Sequence, residues 1–186
     1  MALPKYTVPS LTLEQGAEVA AVLQKRLDAL NDLALTLKHI HWNVVGPHFI
    51  AVHEMIDPQV DAVREMVDAI AERIATLGVA PVGTPGALVA SRTWEDYSIG
   101  RDSAIAHLGA LDVVYIGVIE AHRAAAKDVE EIDDVTNDLL VGHLHDLELF
   151  HWFVRAHLES AGGTLTTGNA QTEKTAARKA SAKDTA

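Results

Sequence analysis

A chain of 186 residues that is 48% hydrophobic is long enough for one domain with a sizeable core, and its net charge of −11 argues against a folded surface built for nucleic acid while suiting the concentration of cations. With no cysteine, disulfides, thiolate metal sites and cysteine nucleophiles are excluded, so histidine and carboxylate must supply any metal site. No N-terminal basic region leads into an apolar run, and no apolar stretch approaches the roughly 20 residues that span a bilayer, so the sequence predicts a soluble, cytoplasmic protein with no membrane partner. Residues 1–11 carry two prolines and no periodicity, and predict a short extended arm. Thr12 and Gln15 then have capping-box spacing, and Val19, Leu23, Leu27, Leu30, Ala34 and Leu37 follow at steps of three and four, which predicts the first helix. The next step lands on His41, where a purely structural helix more often carries Leu or Val. Trp42 follows at once, and Gly46 with Pro47 ends the helix. A second helix is predicted from near Phe49 to Gly78, bending at Pro58, with Val60, Val63, Val67, Ile70, Ile74 and Leu77 as its buried stripe.

Val79 to Arg101 contains Pro81, Gly83, Pro85 and Gly86, then a helix-compatible piece from Ala87 to Ser91, and reads as a long crossover. The third helix, about Arg101 to Lys127, has Ala104, Leu108, Leu111, Tyr115, Val118 and His122 at core spacing. The fourth, about Asp134 to Ser160, has Leu140, His143, Leu147, Phe150 and Val154, with Gly162 and Gly163 as its stop. Four long helices with one long crossover holding a short helix make an all-α, ferritin-like four-helix bundle over 12–161. No sustained strand alternation and no repeat at a fixed period is visible. Residues 162–186 carry no apolar side chain larger than alanine after Leu165, which predicts a flexible tail unable to dock on a core.

The chemistry concentrates in Leu37 to Leu77. At about 100° per residue, His53, Asp57, Asp68 and Glu72 fall within one sector of the second helix, beside its apolar stripe. At about 1.5 Å rise per residue, however, Asp57 and Asp68 stand about 16 Å apart along the axis, whereas metal–ligand bonds are about 2 Å long. One helix cannot close such a site, but a second copy running antiparallel about a two-fold axis can. His53 and Glu72, and likewise Asp57 and Asp68, lie at equal index distances either side of residues 62 and 63. That symmetry sets His53 near Glu72 of the mate, Asp57 near Asp68, and Asp61 against Arg64. The plainer interpretation is a solvated acidic face with one incidental histidine.

The run His39-Ile-His41-Trp42-Asn43-Val-Val-Gly46-Pro47-His-Phe49-Ile-Ala-Val-His53-Glu54-Met55-Ile-Asp57, followed by Asp68-Ala-Ile-Ala-Glu72-Arg73, resembles the Dps proteins, the mini-ferritins or DNA-binding proteins from starved cells, and in particular their actinobacterial members. The resemblance covers nearly the whole chain. It implies a hollow dodecamer with a ferroxidase centre at each two-fold interface, His41, His53 and Asp57 coming from one subunit and Asp68 and Glu72 from its mate. Trp42 resembles the tryptophan placed to intercept oxidising equivalents, although a packing role fits it equally well. The implied substrate is non-haem Fe(II), oxidised mostly by hydrogen peroxide and stored as Fe(III) mineral, which protects DNA from oxidative damage; neither haem nor nucleotide is implied. Few nitrogen donors and several carboxylates suit Fe(II) and stabilise Fe(III) still more.

Asp128, Glu130, Glu131, Asp133, Asp134 and Asp138 form an acidic run that usually means a solvated loop. The resemblance implies that Asp134 and Asp138 line a three-fold pore for cations. Glu148 and His151 have the Glu-x-x-His spacing of an intrachain di-iron site, but the matching pair on the second helix has no histidine. The remaining seven histidines read as surface or hydrogen-bonded core residues. Lys174, Arg178, Lys179 and Lys183 make the tail locally basic, so an alternative function is a nucleoid protein binding DNA through that tail. A metal-dependent amide hydrolase on the same ligands is a further alternative, for which the sequence offers no substrate pocket.

Overall fold

In the computed structural model, which describes residues 3–184, Thr12 and Gln15 cap each other: the Thr12 N–H donates to Gln15 Oε1 at 2.9 Å, and the Gln15 N–H to Thr12 Oγ1 at 3.1 Å. Two backbone donors that a helix start leaves without partners are thereby answered. Helix α1 follows as Leu13–Asn43, with Val19, Leu23, Leu27, Leu30, Ala34, Leu37 and His41 all buried. Helix α2 is Phe49–Thr76, continuous through Pro58. Proline removes the N–H that would reach the Glu54 carbonyl, and the apolar residues on both sides keep the helix going. Val60, Val63, Ile70, Ile74 and Leu77 are buried as their spacing predicts; Met66 is buried too, while Val67 is only half-buried. A Schellman pattern closes α2, with Gly78 N–H donating to Ala75 O at 3.0 Å and Val79 N–H to Ile74 O at 3.2 Å. Gly78 has φ +83°, and a Cβ there would collide with the Tyr6 carbonyl of the N-terminal arm, so only glycine fits.

The connection holds α3, Pro85–Ser91, then α4 is Ala104–Val129 and α5 is Asp134–Leu158. A two-residue ladder, too short to show as alternation in the sequence, accompanies the helices: β1, Val44–Val45, pairs in parallel with β2, Asp102–Ser103. Helix α4 corrects the expectation about membrane-length apolar stretches, since it is long and apolar enough by length and composition to cross a bilayer. Its Leu108, Leu111, Tyr115 and Val129 are buried within the protein, and core packing accounts for that composition.

The chain divides into two compact units. The first, Met1–Ala34, Ala62–Thr93 and Glu120–His145, buries Val19, Leu23, Leu30, Val63, Ile70, Ile74 and Leu140. The second, Leu35–Asp61, Trp94–Ile119 and Asp146–Ala186, buries Leu37, Ile40, Val52, Ile56, Leu111, Tyr115, Leu147 and Val154.

The expected flexible tail is corrected by α6, Glu173–Asp184. Alanine suffices to dock it because α4 offers a gap of matching size: Ala177 packs with Ile99, Ala106 and Ala110, and a Cβ on Gly109 would stand 2.8 Å from the Ala176 carbonyl oxygen and 2.9 Å from the Ala180 methyl. Close backbone approach replaces large side chains here. Polar ties add to it. The Ser98 N–H and hydroxyl each donate to Glu173 Oε2 at 2.6 Å, and Lys179 Nζ donates to the Gly168 carbonyl at 2.7 Å.

Candidate metal centre

The turn that joins α1 to α2 brings His41 against His53. Gly46 and His48 both take positive φ, +83° and +65°, which reverses the chain within a few residues. The two histidines then hold each other through the backbone: His41 Nδ1 donates to the His53 carbonyl at 3.0 Å, and His53 Nδ1 donates to the His41 carbonyl at 2.9 Å. Their rings stack with centroids 3.6 Å apart and planes 24° from parallel, and the Phe49 ring lies 5.0 Å from His53. Spending Nδ1–H on a carbonyl fixes the tautomer and leaves Nε2 with the lone pair, the form in which imidazole ligates a metal.

Asp57 sits beside this clasp. Its Oδ1 is 3.2 Å from His41 Nδ1 and accepts a hydrogen bond from Lys38 Nζ at 2.9 Å. That bond from Lys38 is the foremost cause holding the Asp57 carboxyl below the usual carboxylate range; partial burial opposes it, and the charges of His41, Lys38 and His53 assist. Lys38 was not singled out from the sequence, although its position three residues before His41 places both on one face of α1. The same ammonium lies 5.8 Å from the centroid of the Trp42 ring. Trp42 is 70% exposed in the chain, so a role as a core packing residue within one subunit is corrected.

Asp68 and Glu72 lie one turn apart on α2, both exposed and both in the first unit. The structure therefore gathers His41, His53 and Asp57 and leaves Asp68 and Glu72 apart from them. Among the described residues no three His, Asp or Glu side chains of one chain converge on a single metal position.

Asp134 and Asp138 are exposed on the first turns of α5. Their neighbour Asp133 is buried instead of solvated: Arg73 Nη2 reaches its Oδ2 at 2.6 Å and the Thr136 hydroxyl donates to the same oxygen. Burial pushes the Asp133 carboxyl up, and the hydrogen bonds from Thr136 and Arg73 outweigh it and hold the group low. His151 is likewise spoken for, with Nε2 2.7 Å from Oδ1 of Asp112, whose Oδ2 accepts from Thr167 at 2.8 Å. Sequence reasoning missed this buried triad; the available signal was an aspartate inside the apolar run Leu108 to Tyr115. A second histidine pair, His122 and His143, has ring centroids 5.7 Å apart in the first unit. Burial foremost, with His143 and Arg26 adding, pushes His122 down to about 3, so it is neutral at physiological pH, and the nearby guanidinium disfavours a cation there. Lys174 and Arg178 are exposed on α6, Lys179 is tied to Gly168, and the Lys183 side chain lies outside the described residues.

A family model described as a ferritin-like domain matches residues 20–162. The DNA protection during starvation protein of Mycolicibacterium smegmatis is 58% identical over 178 residues, covering 96% of this chain and 97% of that protein. Among solved structures, a Dps from Streptomyces coelicolor aligns with a TM-score of 0.88 at 68% identity, over 90% of this chain and all (100%) of that one. Mycobacterium smegmatis Dps aligns with a TM-score of 0.89 at 58% identity, over 94% and 98% of the two chains. The fold is thus the ferritin-like helical bundle with a short extra helix.

Proposed function

The chain belongs to the ferritin-like Dps family, and on that premise we propose that it is a ferroxidase and iron store whose oxidation sites are shared between two subunits of a hollow dodecamer. Fe(II) is the substrate, hydrogen peroxide the oxidant, and removal of both protects DNA. The observation that carries this reading is the clasp of His41 and His53 with Asp57 Oδ1 3.2 Å from His41 Nδ1, three side chains of ligand type brought to one corner of the chain. Asp68 and Glu72 complete the centre from the partner subunit, in line with their symmetric placement along α2.

Each residue has a distinct part. His41 and His53 present Nε2 in a fixed orientation, which lowers the cost of organising the site when metal arrives. Asp57 stays ionised, and Lys38 holds its charge until a cation replaces the ammonium. Asp68 and Glu72 add carboxylates that favour Fe(III) over Fe(II) and so drive oxidation. The acidic surface, with Asp134 and Asp138 at a three-fold pore, concentrates Fe(II) on its way in. Lys174 and Arg178, facing outward on an ordered helix, support a second activity, direct contact with DNA phosphates multiplied by twelve copies.

The decisive experiment is complementation. His41→Ala and Asp68→Ala each reduce peroxide-driven Fe(II) oxidation by roughly a hundredfold or more, by analogy with the cost of disturbing metal ligands. Unfolding the two variants together and reassembling them restores activity at about a quarter of the sites, because only a mixed two-fold pair holds one intact centre and one doubly damaged one. Unchanged single-variant rates, or no recovery on mixing while each variant still assembles, overturn the shared site.

A further inference from the structure

Three helices of the first unit each turn one basic side chain inward, at a place the metal centre does not use. On α1, Arg26 stands three residues after Leu23 and four before Leu30, which puts it on the buried side, and it is only 9% exposed. On α4, His122 is fully buried, and on α5 His143 is buried with its ring centroid 5.7 Å from that of His122. Buried polar atoms ordinarily have hydrogen-bond partners. Here Arg26 Nη1 and both ring nitrogens of His122 are closed off from solvent and have none.

The charge is as poorly answered as the donors. Burial foremost, against the pull of Asp28, lowers the Arg26 guanidinium from its ordinary value, which is high enough that the group stays cationic. Asp28 is already engaged: its Oδ1 accepts from Gln24 Nε2 at 3.1 Å and its Oδ2 from the Ser91 hydroxyl at 2.8 Å. His122 feels both His143 and Arg26, which places it within electrostatic reach of each. The interior at this level therefore holds N–H donors and positive charge in excess of acceptors and negative charge.

We infer that Arg26 and His122, with His143 alongside, hold one small inorganic monoanion of the halide class inside this unit. The guanidinium supplies the charge through Nη1–H and the neutral imidazole supplies a single N–H, so neither group has to change protonation. A buried water would answer the donors but bring no charge to offset the guanidinium. A metal cation would meet that same guanidinium as a like charge. Phosphate and sulfate carry several oxygens that each seek donors, more than this cluster offers, whereas a monatomic ion is satisfied by few. Because the site is sealed, the ion enters as the bundle folds or opens locally, and its release adds to the cost of unfolding this unit.

The test uses the full-length assembled protein, purified and crystallised with sodium bromide in place of chloride. Anomalous diffraction at the bromine edge should show one ordered ion per chain within hydrogen-bonding distance of Arg26 Nη1 and the His122 ring. In solution, the thermal midpoint of the chloride-free protein should rise with each tenfold increase in sodium chloride, and should stay lower in sodium gluconate of equal ionic strength, whose anion is too large to enter. Arg26→Met, which keeps an apolar stem without the charge, and His122→Phe should each abolish the difference between the two salts at unchanged particle size. Should either variant fail to assemble, the wild-type diffraction and the salt pair decide on their own. Density for water without an anomalous signal, bromide bound only at the surface, equal effects of chloride and gluconate, or a salt difference that survives in both variants overturns the inference. So does a buried bromide whose chloride counterpart gives no stabilisation, which marks an adventitious ion only.

Discussion

Helix α2 carries two polar clusters of opposite design. Toward its C-terminus, Arg73 is closed: its Nη2 meets Asp133 at 2.6 Å, its Nε donates to the Thr136 hydroxyl at 2.9 Å, and both partners are buried. Toward its N-terminus, His53 and Asp57 are open: backbone carbonyls hold the imidazoles of His41 and His53 by Nδ1, and the half-exposed aspartate is bridged by the Lys38 ammonium at 2.9 Å and lies 3.2 Å from His41 Nδ1. A closed cluster spends its hydrogen bonds on the fold. An open one keeps lone pairs for a substrate, and the difference should separate stability from activity.

The largest effect expected is at the closed cluster. Arg73→Ala leaves the Asp133 carboxylate buried without its cation, and loss of about 3–5 kcal/mol in urea unfolding is expected. Truncating Asp57 removes an exposed carboxylate and should leave the unfolding midpoint close to wild type while Fe(II) oxidation falls. Equal stability losses at the two ends would erase the distinction.

Acid sharpens it further. His122 has an ordinary value of 6.5 and is held down to about 3 in the folded chain, so between those limits the unfolded chain takes up a proton that the folded one refuses. Stability is therefore whole above pH 6.5 and declines as pH falls toward 3, by about 1.4 kcal/mol per pH unit for the one proton. Asp133, held low, adds in the same direction: its contribution is present above the ordinary carboxylate value and is lost as pH falls through its folded one. His122→Leu should flatten the upper part of this decline, seen as a smaller shift of the urea midpoint between pH 6.5 and pH 5. An unaltered slope would mean that other groups carry the acid sensitivity.

These clusters also mark what the sequence makes legible. The Thr12–Gln15 cap and the run of α2 through Pro58 are set by short spacings, and local geometry reproduces them, whereas no spacing rule pairs His41 with His53, which only the family resemblance grouped. Asp133 looked like one more member of a solvated acidic run, because its burial depends on Arg73, which is 60 residues away along the chain. Helix α6 was illegible for a related reason. Its alanines have little apolar area, and docking depends on the absence of a side chain at Gly109, a property of a surface rather than of a segment. Asp112, His151 and Thr167 come from three separated stretches and share no spacing rule.

The smallest effect expected repeats the open and closed contrast on α6. Lys179 is closed, its ammonium 2.7 Å from the Gly168 carbonyl and 3.5 Å from that of Thr167, so its charge is committed to holding the preceding loop. Lys174 and Arg178 are one turn apart and open to solvent. Each phosphate contact releases about one counterion, so replacing both with Ala should reduce the slope of log affinity against log salt by about two for each engaged chain. Lys179→Ala should leave that slope unchanged and instead raise proteolysis between residues 162 and 172. Because the rest of the protein is strongly acidic, the contacts of one helix are weak, and the change becomes measurable only when several copies engage one duplex. Should Lys179→Ala lower the slope as much as the double variant, the helix must leave its dock to reach DNA, and the hydrogen bonds to Gly168 and Thr167 would be the contacts that binding breaks.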